Sequence, residues 1–221
     1  MSDNLKQIEA EIIEPCEKCK KMPNLCVCEA IDPVATKTHV LILQHPQEKD
    51  RNLGSAYIAH LSLPNSTFKI GLSWRNLKAL IKSEVNPKQW LVLFLGTAKV
   101  KKDAQEMGQK LVIIDRKNNP LENSKNILKG IKGLIVLDGN WSQSKALWWR
   151  NAWLLKVHRG ILFPEKRSLY GRYRKEPREE SISTIEAISE ALSYLEKEDI
   201  SENLLKPFKK LIEKYTLQNK R

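Results

Sequence analysis

The stretch from residue 133 to 149, GLIVLDGNWSQSKALWW, constrains the chain more than any other, because strand, turn and helix signals follow one another without slack. Residues 134–137 are apolar with no polar alternation, the pattern of a short strand buried on both faces of a parallel sheet. Asp138 and Gly139 end it. Asn140 then offers a helix N-cap, Gln143 stands three residues on in the capping-box place, and Ala146, Leu147 and Trp149 or Arg150 follow at helical spacing. A carboxylate therefore lies at the carboxyl end of a strand, beside a helix N-terminus, which is where α/β folds bind ligands. Asp-Gly at a strand end is also ordinary turn chemistry, so the turn alone does not decide between a site and a corner.

Similar signals recur along the chain. Strands are expected over residues 38–43, 67–72, 89–95, 111–114 and 154–162, helices over 55–61, 75–83 and 201–217, and a loop over 118–125. A further helix opens on SISTIEA. Ser183 or Ser181 caps it, Glu186 takes the capping-box place, and Ile185, Ile188, Ala191, Leu192 and Leu195 form its buried stripe. Strands alternating with helices give an α/β class with a mostly parallel sheet and flanking helices. No G-x-G-x-x-G follows any strand, which disfavours a dinucleotide site of the Rossmann type.

All four cysteines fall in CEKCKKMPNLCVC, as Cys16, Cys19, Cys26 and Cys28, spaced C-x2-C-x6-C-x-C. The first residues are acidic and lack a signal peptide's basic and apolar regions, and no run approaches the roughly 20 apolar residues that span a bilayer. The chain is thus expected in the cytoplasm, where thiols stay reduced and a tetrahedral ion explains four close thiols better than disulfides do. Iron–sulfur ligation and a redox-active pair are the competing chemistries. A structural Zn²⁺ in a knuckle would replace the core that so short a segment cannot build, and its Lys18, Lys20 and Lys21 could then meet RNA phosphate. Residues 1–35 are read as a leader with this knuckle, and residues 36–221 as the main domain.

The net charge of +12, from 38 Lys and Arg against 26 Asp and Glu, favours a polyanionic partner such as nucleic acid. Between residues 165 and 180, EKRSLYGRYRKEPREE interleaves six Lys or Arg with Tyr170 and Tyr173, which suits RNA: cations meet phosphates and rings stack on unpaired bases.

Taken in order, Cys16-Cys19-Cys26-Cys28, His45-Pro46-Gln47-Glu48 with Arg51-Asn52, Leu95-Gly96-Thr97-Ala98, Asp138-Gly139-Asn140-Trp141 and Ser183-Thr184-Ile185-Glu186-Ala187 resemble the motifs of the DTW-domain proteins. That family comprises tRNA-uridine aminocarboxypropyltransferases that use S-adenosyl-L-methionine (SAM). One departure is visible: Asn140 stands where the family's Asp-Thr-Trp has threonine, and both residues cap helices. The resemblance implies a SPOUT-like fold with a C-terminal trefoil knot. It also implies transfer of the 3-amino-3-carboxypropyl group of SAM to N3 of a tRNA uridine, with tRNA as partner. The apolar pattern itself gives no expectation of a membrane, and no obligate protein partner is evident in the sequence.

On that reading Asp138 is the catalytic candidate, as base or as orienter of N3–H, since an ordinary carboxylate is a weak base at neutral pH. Leu95, Gly96, Leu137, Gly139, Trp141, Thr184 and Glu186 would hold SAM. His45, Arg51, Lys145, Arg172, Arg174 and Arg178 would meet RNA. Two other functions are compatible with the same features: a SPOUT-type SAM-dependent RNA methyltransferase, and a zinc-bearing RNA-binding protein without catalysis.

Overall fold

A computed structural model of the chain describes residues 14–48, 52–94, 110–164, 166–173 and 182–219. Its centre is a six-stranded sheet of β1 (His39–Gln44), β2 (Ser66–Ile70), β3 (Trp90–Leu93), β4 (Leu111–Ile114), β5 (Gly133–Asp138) and β6 (His158–Leu162). The spatial order is β2-β1-β5-β3-β6-β4. Every neighbouring pair is parallel except β4 with β6, so the one antiparallel strand lies at an edge.

Strand β5 sits between β1 and β3 and has no solvated face. Leu134 and Val136 point into one apolar cluster and Ile135 into the other, just as Val40 and Ile42 part from Leu41 and Leu43 on β1. This two-sided burial is why these strands read as unbroken apolar runs. The first cluster is covered by α1 (Ala56–Ser62), α5 (Thr184–Glu196) and α6 (Ser201–Gln218), and reaches the cysteine segment through Leu25 and Val27. The second is covered by α2 (Leu77–Ile81), α4 (Trp141–Arg150) and the short 3₁₀ helix Ala152–Lys156.

Three sequence expectations are corrected. Residues 154–162 are not one strand: Trp153 and Leu154 are buried while Leu155 is 58% exposed, a turn-like spacing that makes Ala152–Lys156 a 3₁₀ helix before β6 begins. The loop expected over residues 118–125 gives way at Ser124 to α3 (Ser124–Lys129), whose Leu128 covers the sheet edge beside Leu111 and Ile113. On α4 the buried face is Gln143, Ser144, Leu147 and Trp148, and Trp149 is 78% exposed. Among the described residues no helix is long and apolar enough to cross a membrane.

Gly133 allows the sheet to close where β5 meets β3. It pairs with Trp90, and a Cβ added to it would lie 2.3 Å from the indole Cδ2. Gly133→Ala should therefore destabilise the fold by about 1–3 kcal/mol, as overpacking of a filled core does. At roughly 2–4 °C per kcal/mol for a chain of this size, thermal unfolding followed by circular dichroism should shift down by about 5–10 °C. An unchanged melting temperature would mean that Trp90 leaves its place without cost.

Candidate active site and metal centre

The cysteine segment folds around its own sulfurs. Lys20 adopts a left-handed conformation at φ 57°, the Lys20 amide donates to the Cys16 carbonyl at 2.8 Å, and the Cys16 amide donates to the Lys21 carbonyl at 2.7 Å. This tight turn faces the second half of the motif. Cys16 and Cys28 sulfurs are 3.6 Å apart, Cys19 and Cys26 sulfurs 3.7 Å, and all four lie within 4.8 Å of one another. Zn–S bonds of about 2.3 Å in a tetrahedron place sulfurs roughly 3.8 Å apart, so the donor set fits zinc.

The electrostatics of the thiols agree. The backbone amides of Cys19 and Lys18 pull the Cys16 thiol down to about 6. Burial and the neighbouring thiols push Cys28 up to about 12. Four thiolates cannot share so small a volume without a cation, and a bound Zn²⁺ would supply it. The segment is seated on the end of α6, where Lys214 donates to the Cys26 carbonyl and pairs with Glu29 at 3.1 Å.

Asp138 ends β5 in register with Gln44, which ends β1. Its Oδ2 accepts from Gln44 Nε2 at 2.7 Å, and its Oδ1 accepts from the Thr184 hydroxyl. Thr184 is the first residue of α5, so the carboxylate lies between the carboxyl end of the central strands and the amino ends of two helices. Each carboxylate oxygen keeps a further lone pair for an outside donor.

Both helix starts have complete capping boxes. Gln143 N donates to Asn140 Oδ1 at 3.0 Å and Asn140 N to Gln143 Oε1 at 2.7 Å. Ser183 and Glu186 do the same for α5. The Gly139 backbone has φ 157°, and a Cβ there would lie 2.8 Å from the Gln143 Cβ, so the turn leaves no room for a side chain. Ser144 straps it further, donating to the carbonyls of Leu137 at 3.3 Å and Gly139 at 3.0 Å.

Several residues singled out in the sequence meet here. The His45 amide donates to the Asp138 carbonyl at 2.9 Å, and Gln47 accepts from Gln143 Nε2 at 3.3 Å, which places the residue 45–48 loop beside the Asp138 turn. Trp141 is half-buried at the start of α4, with the Lys145 ammonium 5.8 Å from its ring. Glu186 is buried, and its carboxylate accepts from Ser168 Oγ at 2.9 Å and from the Leu169 and Ser183 amides at 2.8 Å each. It thereby ties residues 168 and 169 to α5.

Tyr170 is not a stacking ring for RNA. It is 1% exposed, packs edge-on against Phe208, and donates its hydroxyl to the Leu53 carbonyl at 2.9 Å. Arg51, Leu95, Gly96, Arg174 and Arg178 lie outside the described residues, as does the Arg172 side chain. One site residue, Gln44, escaped the sequence reading, although a polar residue closing an apolar strand was a signal for it. Lys21, expected to meet RNA phosphate, is instead buried, with its ammonium on the Gly54 carbonyl.

The DTW domain family model matches residues 13–216. The chain belongs to the DTW domain family. The match takes in both the cysteine cluster and the Asp138 turn of this DTW-domain chain. Three curated relatives carry the name tRNA-uridine aminocarboxypropyltransferase 2. The Mus musculus protein is 28% identical over 210 residues, covering 91% of this chain and 63% of the relative. The Macaca fascicularis protein is 27% identical over 202 residues, covering 89% and 61%. The Drosophila melanogaster protein is 28% identical over 211 residues, covering 92% and 75%. The DTW-domain chain therefore spans under two thirds of the length of the two mammalian relatives. No solved structure matches it significantly. Its Asn140, at the threonine position of the family's name, accepts the same capping bond that a threonine hydroxyl would.

Proposed function

We propose that this chain transfers the 3-amino-3-carboxypropyl group of SAM to N3 of a tRNA uridine, with methylthioadenosine as the other product. The observation that carries the proposal is the Asp138 carboxylate, oriented by Gln44 and Thr184 at the point where two capped helices meet the central strands. Relatives named for this reaction support it. A SPOUT-type arrangement with a knotted C-terminal part belongs to the same reading.

Leu137 and Gly139 flank Asp138 in the chain, Thr184 bonds its carboxylate and Trp141 opens α4, and together with Leu95, Gly96 and Glu186 they form the proposed SAM site. Bound SAM would supply an electrophilic carbon next to a sulfonium. Asp138 accepts the N3–H of uridine on a free lone pair and takes or steers the proton as nitrogen attacks. Gln44 and Thr184 keep the carboxylate from rotating, which fixes the approach of the base. Arg51, Lys145, Arg172, Arg174 and Arg178 would meet tRNA phosphate, with His45 at the base-facing loop and the net charge of +12 drawing the polyanion in.

Incubating the protein and tRNA with SAM labelled either in the carboxyl group or in the methyl group tests the reaction. Label is expected in RNA from the carboxyl-labelled donor alone. Label from the methyl-labelled donor would make the chain a methyltransferase. No label, with no SAM binding by calorimetry, would leave an RNA-binding protein.

A further inference from the structure

Lys21 is a charged residue where a charge is costly. Its side chain is 7% exposed, and its ammonium donates to the Gly54 carbonyl at 2.7 Å. Burying an ammonium costs several kcal/mol unless it is paired and hydrogen-bonded, so its partners fix its place in the fold. Its backbone belongs to the turn that carries Cys16 and Cys19, and its ammonium reaches residue 54.

A continuous set of bonds runs the same way. The Cys16 amide holds the Lys21 carbonyl at 2.7 Å, and Lys21 Nζ holds Gly54. The next residue, Ser55, is buried and its hydroxyl accepts the Ile185 amide at 3.3 Å. Beside Ile185, Thr184 donates to Asp138. Tyr170 holds the Leu53 carbonyl, so residues 53–55 are each tied by a side-chain bond at successive positions.

We propose that Lys21 is a positioning residue for the Asp138 site, through which the metal knuckle sets the 53–55 loop, the start of α5 and so the orientation of the carboxylate. The inference rests on the transferase reading. On this account the knuckle is a part of the active site's frame, and its four cysteines act on catalysis through a lysine two residues after Cys19.

The test compares Lys21→Met with the unaltered protein in the transfer assay, alongside zinc content and melting temperature. Turnover is expected to fall about ten- to a hundredfold, the scale of a small misplacement of a reacting group. The KM values for SAM and tRNA should stay within about twofold, and zinc should remain stoichiometric. Unchanged turnover would overturn the proposal, and so would a loss of turnover that tracks a loss of zinc.

A second measurement uses the unaltered protein and needs no activity. Hydrogen exchange before and after zinc is stripped should show faster exchange at the amides of residues 54, 55 and 185, while the central strands stay protected. Equal protection at those amides in both states would overturn the proposal even if Lys21→Met failed to fold. If the unaltered protein transfers no label, the transferase reading fails instead, and the exchange result still reports on the linkage.

Discussion

Asp138→Asn is expected to cut transfer to tRNA by about 10³-fold, within the 10²–10⁴ range of a positioned proton acceptor, while leaving the fold intact. The fold survives because the amide has the carboxylate's shape and Gln44 can turn its own amide to offer an oxygen to the new NH₂ group. The Thr184 hydroxyl keeps an acceptor in the remaining oxygen. What is lost is the negative charge and the second acceptor that would face N3–H. Label transfer from carboxyl-labelled SAM measures the first effect, and a thermal melt within a few degrees of the unaltered protein measures the second. A protein that kept full turnover with SAM bound would remove Asp138 from the chemistry.

Cys19→Ser should have the largest effect on stability. Cys19 is 1% exposed, and its sulfur faces that of Cys26 at 3.7 Å. A serine hydroxyl is a poor zinc ligand, so the ion should be lost or held far more weakly. Structural zinc contributes roughly 10–16 kcal/mol in isolated zinc-finger peptides. Here Leu25 and Val27 also anchor the segment in the main core, so only part of that figure is exposed to the change. At about 2–4 °C per kcal/mol, a fall in melting temperature of roughly 10 °C or more is expected. Elemental analysis should find about one zinc per chain before the substitution and well under half afterwards. Stoichiometric zinc in Cys19→Ser, with an unchanged melt, would show that the cluster is not a zinc site.

The parts of this protein that were legible in the sequence are those whose cause is local. The turn from β5 into α4 is specified within a few residues, by an apolar run, a glycine with no space for a Cβ and a reciprocal Asn140–Gln143 cap. The Ser183–Glu186 cap and the buried stripe of α5 are of the same kind. Cysteine spacing announced the four-sulfur cluster, since a cluster of neighbouring residues is also local. The order of strands was not legible, because β5 pairs with β1 and β3 across long stretches of chain that periodicity does not see.

The partners of Asp138 escaped for the same reason: Gln44 lies 94 residues away in sequence and Thr184 lies 46 away. Tyr170 was misread because a ring among basic residues looks like a stacking platform until Phe208 is found against it. Lys21 was misread as a phosphate contact because burial is a tertiary property, and the last of three lysines in a polar segment gives no sign of it.

The clasp of Lys214 on the Cys26 carbonyl joins positions 188 residues apart. A ribosome adding roughly 5–20 residues per second delivers the cysteines about 10–40 s before the helix that receives them. Throughout that interval the nascent thiols have one another but no docking surface from α6. The order of translation thus leaves the four sulfurs free to gather around an ion before the helix that finally receives them exists.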